Sequence, residues 1–289
     1  LKDPDYIYVS DLFVNQYGGG AELTFQAIMN KSPSDKIGAV NSELLDINTI
    51  NRFSDCKWVF GNVSKIKEEV LKNIINSNLN YSVVEFDYKF CKHRNPKLYK
   101  LVEGSDCNYA ETEKATNINK FLEKAKTVFF MSEKQREIHK KEIGYKADNS
   151  FILSSVFSKN NLNFIRSLRD KYQGTKSNKW IVLGSNSWVK GLSESEQWCK
   201  DNGVEYEVVW GLEYGKFLEK LASSRGICFL PQGLDTCPRF VIEAKLLGCE
   251  LQLNDNVQHE GEEWWDKKPE EIFEYLENRP EYFWSKAFE

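Results

Sequence analysis

Histidine is scarce in this chain, with three residues in 289, so chemistry that draws on several imidazoles has little to work with. No run approaches the roughly 18 apolar residues of a membrane span, and no transmembrane segment is expected. No basic block is present. Acids and bases are mixed along a chain of formal net charge −4, which argues against a nucleic-acid partner. Phosphate binding, if present, must come from local geometry rather than from a global field. The seven cysteines, at 56, 91, 107, 199, 228, 237 and 249, have no framework spacing. An odd, scattered set reads as reduced thiols in a cytoplasmic protein, and no opening segment has the pattern of a signal peptide. Internal repeats and low-complexity stretches are absent too.

What is present is alternation. At 41% hydrophobic and 28% charged residues, the chain can build real cores, and 289 residues suggest two domains. Short β-rich runs occur at 6–13, 36–40, 58–63, 82–86, 127–131, 151–156, 180–184, 206–210, 227–231 and 250–253. Amphipathic segments separate them, among them 21–29, 64–75, 118–124, 133–142, 162–172, 214–222 and 239–247. Alternation of this kind predicts βαβ units and parallel sheets covered by helices on both faces. The polar, turn-rich "QGTKSNK" (173–179) precedes a fresh strand, "WIVLGS". It places the boundary between domains 1–174 and 175–289. Two Rossmann-like halves joined in this way would face each other across a cleft at the carboxyl ends of their strands, where ligands bind in such folds. The aromatic tail from Glu262 is expected to be helical and to cover a domain surface, that of the first domain included.

Three stretches carry chemistry. In "NQYGGGAELTF" (15–25), Gly18, Gly19 and Gly20 allow close backbone approach and positive φ, ahead of a helix whose N–H groups suit an anion. The dinucleotide spacing G-x-G-x-x-G is absent, and an ordinary strand-to-helix turn would look the same. In "LGSNSWVKGL" (183–192), Lys190 heads a helical segment where an ammonium could meet a phosphate, or could simply be solvated. In "FLPQGLDTCPRFVIEAKLLGCE" (229–250), Thr236 is the expected N-cap and Pro238 the first-turn residue. That leaves the N–H groups of Cys237 and Arg239 for an anion. Asp235 precedes this turn. Glu243 lies within a buried-looking helix, and its carboxylate can accept hydrogen bonds from a vicinal diol, as in a ribose or a hexose.

Together these stretches resemble the GT-B glycosyltransferases, most of all glycosyltransferase family 4. "GSNSWVKG" (184–191) matches that family's Gly-Arg-Leu-x-x-x-Lys-Gly motif at Gly184, Lys190 and Gly191. "DTCPRFVIEAKLLG" (235–248) matches its E-x7-E element, with Asp235 for the first Glu, Glu243 as the second, then Ala244 and Gly248. "GGGAE" (18–22) is similar to its Gly-Gly-x-Glu turn. The resemblance implies two Rossmann-like domains facing across a cleft and sugar transfer from a nucleotide sugar, a UDP- or GDP-sugar, to a glycan or another small acceptor. It gives Lys190 the donor diphosphate and Glu243 the ribose. Asp235, with the N–H groups of Thr236 and Cys237, would face the transferred sugar and its phosphate. The Gly18–Gly20 turn would lie near the phosphates and the acceptor.

Departures accompany the matches. The family's phosphate-binding Arg is Ser185 here, and Arg239 stands where it could substitute or be solvated. The resemblance implies retention of anomeric configuration. An inverting reaction would instead need a base, for which Asp87 and Glu85 in "VVEFDYKFCKHRNP" (83–96) are candidates, Asp87 first, with His93 nearby. Asp87 and His93 would otherwise be surface loop residues. Cys91, His93 and Cys107 lack the paired spacing of a zinc site. No D-x-D signature suits a catalytic Mg²⁺ or Mn²⁺, in keeping with the metal independence usual for GT-B enzymes. Two other readings stay open: a non-catalytic nucleotide-sugar binder, and a nucleotide-sugar epimerase, which the few histidines disfavour.

Overall fold

A computed structural model describes residues 3–289. It divides into two compact units, one running up to Val156 and joined by Asn278–Glu289, the other Phe157–Glu277. All ten apolar runs carry a strand.

The first unit contains β1 (Tyr6–Ser10), α1 (Gly20–Met29), β2 (Ile37–Asn41), α2 (Ile47–Arg52), β3 (Lys57–Phe60) and α3 (Glu68–Asn76). It continues with β4 (Asn80–Glu85), α4 (Pro96–Glu103), α5 (Glu113–Lys124), β5 (Thr127–Phe130), α6 (Glu133–Ile143) and β6 (Ser150–Ile152). The six strands pair in parallel in the order β2-β1-β3-β4-β5-β6. Tyr8, Trp58, Phe60, Val84, Phe129 and Phe130 are inaccessible to solvent, as strands covered on both faces require. Side-chain oxygens of Asp46, Asn95, Thr112 and Ser132 cap α2, α4, α5 and α6, which fixes where each helix starts.

The second unit contains α7 (Lys159–Tyr172), β7 (Trp180–Leu183), α8 (Leu192–Asp201), β8 (Tyr206–Val209), α9 (Tyr214–Ala222), β9 (Gly226–Cys228), α10 (Arg239–Leu246), β10 (Glu250–Gln252) and α11 (Pro269–Glu277). Its four strands are again parallel, ordered β10-β9-β7-β8. Trp180, Val182, Cys199 and Cys228 form a core, with Trp198, Tyr206 and Leu230 packed on it. Helix α7 lies before residue 174, and it packs against α9, α10 and α11 of this unit. After α11 the chain enters the first unit as α12 (Arg279–Lys286). There Trp284 sits edge-on to Tyr6 at 5.2 Å and donates to the Ile28 carbonyl, while Phe283 packs on Phe129 at 4.6 Å.

Each strand order reverses once. In the first sheet the chain leaves β1 toward β2 and then crosses to β3 on the other side. In the second it leaves β7 toward β8 and crosses to β9. Loops diverge at such switch points and leave a crevice at the carboxyl ends of the strands. The crevices therefore lie beyond β1 and β3 in one unit, and beyond β7 and β9 in the other. No helix of the described residues is long and apolar enough to cross a membrane.

Candidate functional site

In the second unit, the loops after β7 and β9 meet at the switch point. Gly191 has φ +70, and a Cβ there would stand 1.9 Å from the Leu230 carbonyl oxygen, so only glycine fits. The Gln232 N–H donates to the Val189 carbonyl at 2.8 Å and joins the two loops. The second loop is also held from beneath. The Asp235 N–H donates to Asn256 O and the Gln258 N–H to Asp235 O, while the Asn254 and Asn256 amides both donate to Pro231 O. With its main chain occupied, Asp235 presents its side chain, and Lys190 Nζ donates to Asp235 Oδ2 at 2.7 Å. The carboxylate is 15% exposed and the ammonium 43%, so the pair borders solvent rather than lying in the core.

Behind this rim, Glu243 and Arg239 occupy consecutive turns of α10 and are both buried. Arg239 Nε donates to Glu243 Oε1 at 3.0 Å, and Tyr214 Oη donates to the same oxygen at 2.7 Å. The Arg239 guanidinium also lies over the Phe157 ring at 3.7 Å. Burial, with the Glu243 carboxylate beside it, pushes the Tyr214 hydroxyl well above its ordinary range. Arg239 is thus neither a solvated residue nor one presented at the rim. The expected N-cap is corrected: Pro238 holds that position without a side-chain bond, and Thr236 and Cys237 are buried before it. Proline has no N–H to waste and its fixed φ suits a helix entrance, so the helix starts at Arg239, two residues later than a Thr236 cap would allow.

Gly184 and Ser185 follow β7 directly. Gly184 is covered by the Trp210 ring, and the Ser185 hydroxyl accepts from the Ser187 N–H at 3.1 Å.

In the first unit, the crevice is polar. Asp11, directly after β1, accepts from Ser42 Oγ, from Ser64 Oγ at 2.5 Å, and from the Ser64 and Lys65 N–H groups at 3.1 Å. Burial pushes its carboxyl up, and these four bonds more than offset that, holding it below the usual carboxylate range. Arg94 has φ +56, a conformation that strains a side-chain-bearing residue. From there it donates to Ser64 Oγ at 3.0 Å and Asn62 Oδ1 at 2.9 Å, pairs with Asp87, and lies 3.6 Å from Asp11. Asp87 is therefore no surface loop residue. Its Oδ1 is shielded from solvent and has no hydrogen-bond partner among the described residues. Burial raises its pKa despite the nearby Lys89 and Arg94 cations.

Glu85 is fully buried, with Lys89 Nζ at 2.6 Å and His139 at 3.5 Å. Desolvation alone would raise its pKa, but the Lys89 ammonium, with the contact to His139, holds it down to about 2. A carboxylate so enclosed serves the fold. His93 pairs with Glu103 at 2.7 Å, and Cys91 is buried with the Tyr109 hydroxyl at 3.2 Å. Among the described residues no group of three or more His, Cys, Asp or Glu is arranged to hold a metal ion.

The glycine-rich turn does not use the positive φ that its glycines allow. None of Gly18, Gly19 and Gly20 has positive φ; a Cβ on Gly19 would meet the Glu22 carboxylate at 2.4 Å and the Tyr17 ring at 2.6 Å. Glu22 is half-buried, and burial raises its pKa against the pull of Arg94. Asp11, Arg94, Asn254, Asn256 and Tyr214 were not singled out in the sequence. A polar residue directly past a buried strand was the available signal for Asp11; Arg94 carried none.

No family model matches the chain, and no curated protein sequence does either. Solved structures do. It is similar to WaaG, a glycosyltransferase involved in lipopolysaccharide biosynthesis, at 12% identity and a TM-score of 0.53, over 96% of this chain and 90% of that one. It is also similar to Anabaena HepE in complex with UDP and glucose, at 11% identity and a TM-score of 0.54, over 98% of this chain and 95% of that one. The fold is that of the GT-B glycosyltransferases, two α/β units each built on a parallel sheet.

Proposed function

We propose that this chain is a glycosyltransferase that moves a sugar from a UDP- or GDP-sugar to a glycan or another small hydroxyl-bearing acceptor. The observation that carries the reading is the Lys190–Asp235 pair, brought together at the β7–β9 switch point by loops otherwise far apart in the chain. An ammonium there meets a diphosphate, and a carboxylate beside it accepts hydrogen bonds from sugar hydroxyls. The likeness to WaaG and to HepE with UDP and glucose supports the donor class.

In this reading the departing diphosphate is stabilised by Lys190 and by the N–H groups of Thr236, Cys237 and Ser185. Fixed charges and dipoles lower the barrier most when they are in place before the reaction. Glu243 holds the ribose, oriented by Tyr214 and Arg239. Asp235 faces the transferred sugar. Asp87, whose Oδ1 has no hydrogen-bond partner among the described residues, and the Gly18–Gly20 turn serve the acceptor side. Retention and metal independence are assigned from the motif resemblance.

A second reading, a non-catalytic nucleotide-sugar binder, is favoured by one observation: Ser185 stands where the resembled family has its phosphate-binding Arg, and Arg239, which could have substituted, is turned inward to Glu243. One assay separates the two. Thermal stabilisation is measured with UDP, GDP, ADP, CMP and their sugars, alongside release of free nucleotide from the sugar donors. A ligand at a hundred times its dissociation constant adds about 2.7 kcal/mol. We expect one nucleotide to stabilise the protein, the effect to shrink in Lys190→Ala, and its sugar to be turned over. Stabilisation without turnover selects the binder, and no stabilisation by any nucleotide overturns both.

A further inference from the structure

Trp210 is the first residue past β8, and it is 51% exposed. Its indole lies on Gly184, the first residue past β7. A Cβ on Gly184 would stand 2.2 Å from indole Cε3 and 3.0 Å from Cδ2. The Gly184 backbone does not demand glycine, since its φ is not positive. The ring does. A large aromatic group is thus seated against main chain at the carboxyl ends of two adjacent strands, while half its surface faces water. Trp180 and Trp198 behave differently and pack on each other at 5.6 Å, while Trp188, on the loop after β7, is as exposed as Trp210 and serves as the control.

The position of Trp210 matters because of what the two loops carry. The loop beginning at Gly184 leads to Lys190. The loop beginning at Trp210 leads, four residues on, to Tyr214, whose hydroxyl donates to Glu243. The indole therefore shares the carboxyl end of one sheet with the cation assigned to the diphosphate and the carboxylate assigned to the ribose. The remaining part of a nucleotide is its base, a flat π-system that gains most from an aromatic face.

We propose that Trp210 is the stacking platform for the nucleobase of the donor, with Gly184 as its seat. The inference rests on the donor reading given above. Stacking on an aromatic ring tolerates any base, so Trp210 contributes affinity without choosing between uracil and guanine.

The test measures binding of UDP, GDP and inorganic pyrophosphate by calorimetry and by tryptophan fluorescence. The proteins are the wild-type chain, Trp210→Phe, Trp210→Ala and Trp188→Phe, each checked for an unchanged melting transition. Losing one stacked base corresponds to roughly 5- to 150-fold weaker binding. We expect a loss in that range for the nucleoside diphosphates in Trp210→Ala and a smaller one in Trp210→Phe. Pyrophosphate, which has no base, should bind all four proteins equally. Nucleotide should quench the fluorescence of wild type and Trp188→Phe but not of Trp210→Phe. Nucleotide binding to Trp210→Ala at wild-type strength overturns the stacking role and leaves the donor site intact. Failure of any nucleotide to bind the wild type overturns the donor site, and the platform with it.

Discussion

Arg239 and Glu243 stand one turn apart on α10, Nε 3.0 Å from Oε1, and at 4% and 2% exposure both are withdrawn from water. A pair so placed stabilises the fold little by its presence, but removing one partner strands the other charge in a low-dielectric interior. Glu243→Ala and Arg239→Ala should each cost about 3–5 kcal/mol in denaturant unfolding. Glu243→Gln, which keeps an acceptor for Tyr214, should cost less. Wild-type stability in Glu243→Ala would mean that the pair is solvated after all.

Two glycines with nearly the same backbone separate strain from contact. Gly104 and Gly191 have φ +73 and +70, yet a Cβ on Gly104 meets nothing within 4 Å and one on Gly191 meets the Leu230 carbonyl. Gly104→Ala should cost about 1–2 kcal/mol, the left-handed penalty alone. Gly191→Ala adds a backbone displacement at the junction of the two site loops. It should cost more and should also weaken nucleotide binding, which Gly104→Ala leaves unchanged.

His259 is fully buried against Trp264 and Trp265, with neither ring nitrogen hydrogen-bonded among the described residues. Burial, aided by nearby Lys245, lowers its pKa from 6.5 to about 3. The unfolded chain therefore binds a proton that the folded one refuses between those values. The stability this residue confers is complete above pH 6.5 and is lost as the pH falls. Between pH 6 and pH 5 the loss should be about 1 kcal/mol. His259→Phe should remove that part of the slope, as measured by urea unfolding at several pH values. An unchanged slope would assign the acid sensitivity to other groups.

The Lys190–Asp235 pair makes opposite demands on two ligands. Asp235→Asn removes a negative charge from beside the diphosphate site but also an acceptor for the sugar. A nucleoside diphosphate should bind several-fold more tightly to the variant, while the corresponding nucleotide sugar should gain less or lose affinity. Lys190→Ala should weaken both by roughly 10- to 100-fold, the loss of a charge-assisted hydrogen bond. Equal changes for the two ligands in Asp235→Asn would remove Asp235 from the sugar side.

Much of the fold was legible because parallel strands covered on both faces must be continuous apolar runs, and ten such runs are written into the chain. Glycine spacing and a lysine also marked the β7 and β9 loops as special. Local pattern could not show which side-chain groups would meet. At the entrance of α10 a capping residue, Thr236, and a helix-starting proline, Pro238, compete within three positions, and local pattern does not show that the proline prevails. The contacts of α7 with α9, α10 and α11 are set by packing rather than by sequence proximity, so no local pattern announces them.

By itself, then, the sequence determined the order and type of the elements and the chemical character of the loops that end the strands. Hydrophobic periodicity and backbone-restricting residues act over a few neighbours and can be read locally. Only the tertiary structure decided that Lys190 meets Asp235, that Arg239 turns inward to Glu243, that Arg94 joins Asp11 to Asp87, and that Trp210 rests on Gly184. Arg239 is turned toward Glu243 by packing on the Phe157 ring, while the Lys190–Asp235, Arg94–Asp11 and Trp210–Gly184 pairings are created where parallel strands bring distant loops to one edge. The strand order that does so is a property of the whole sheet.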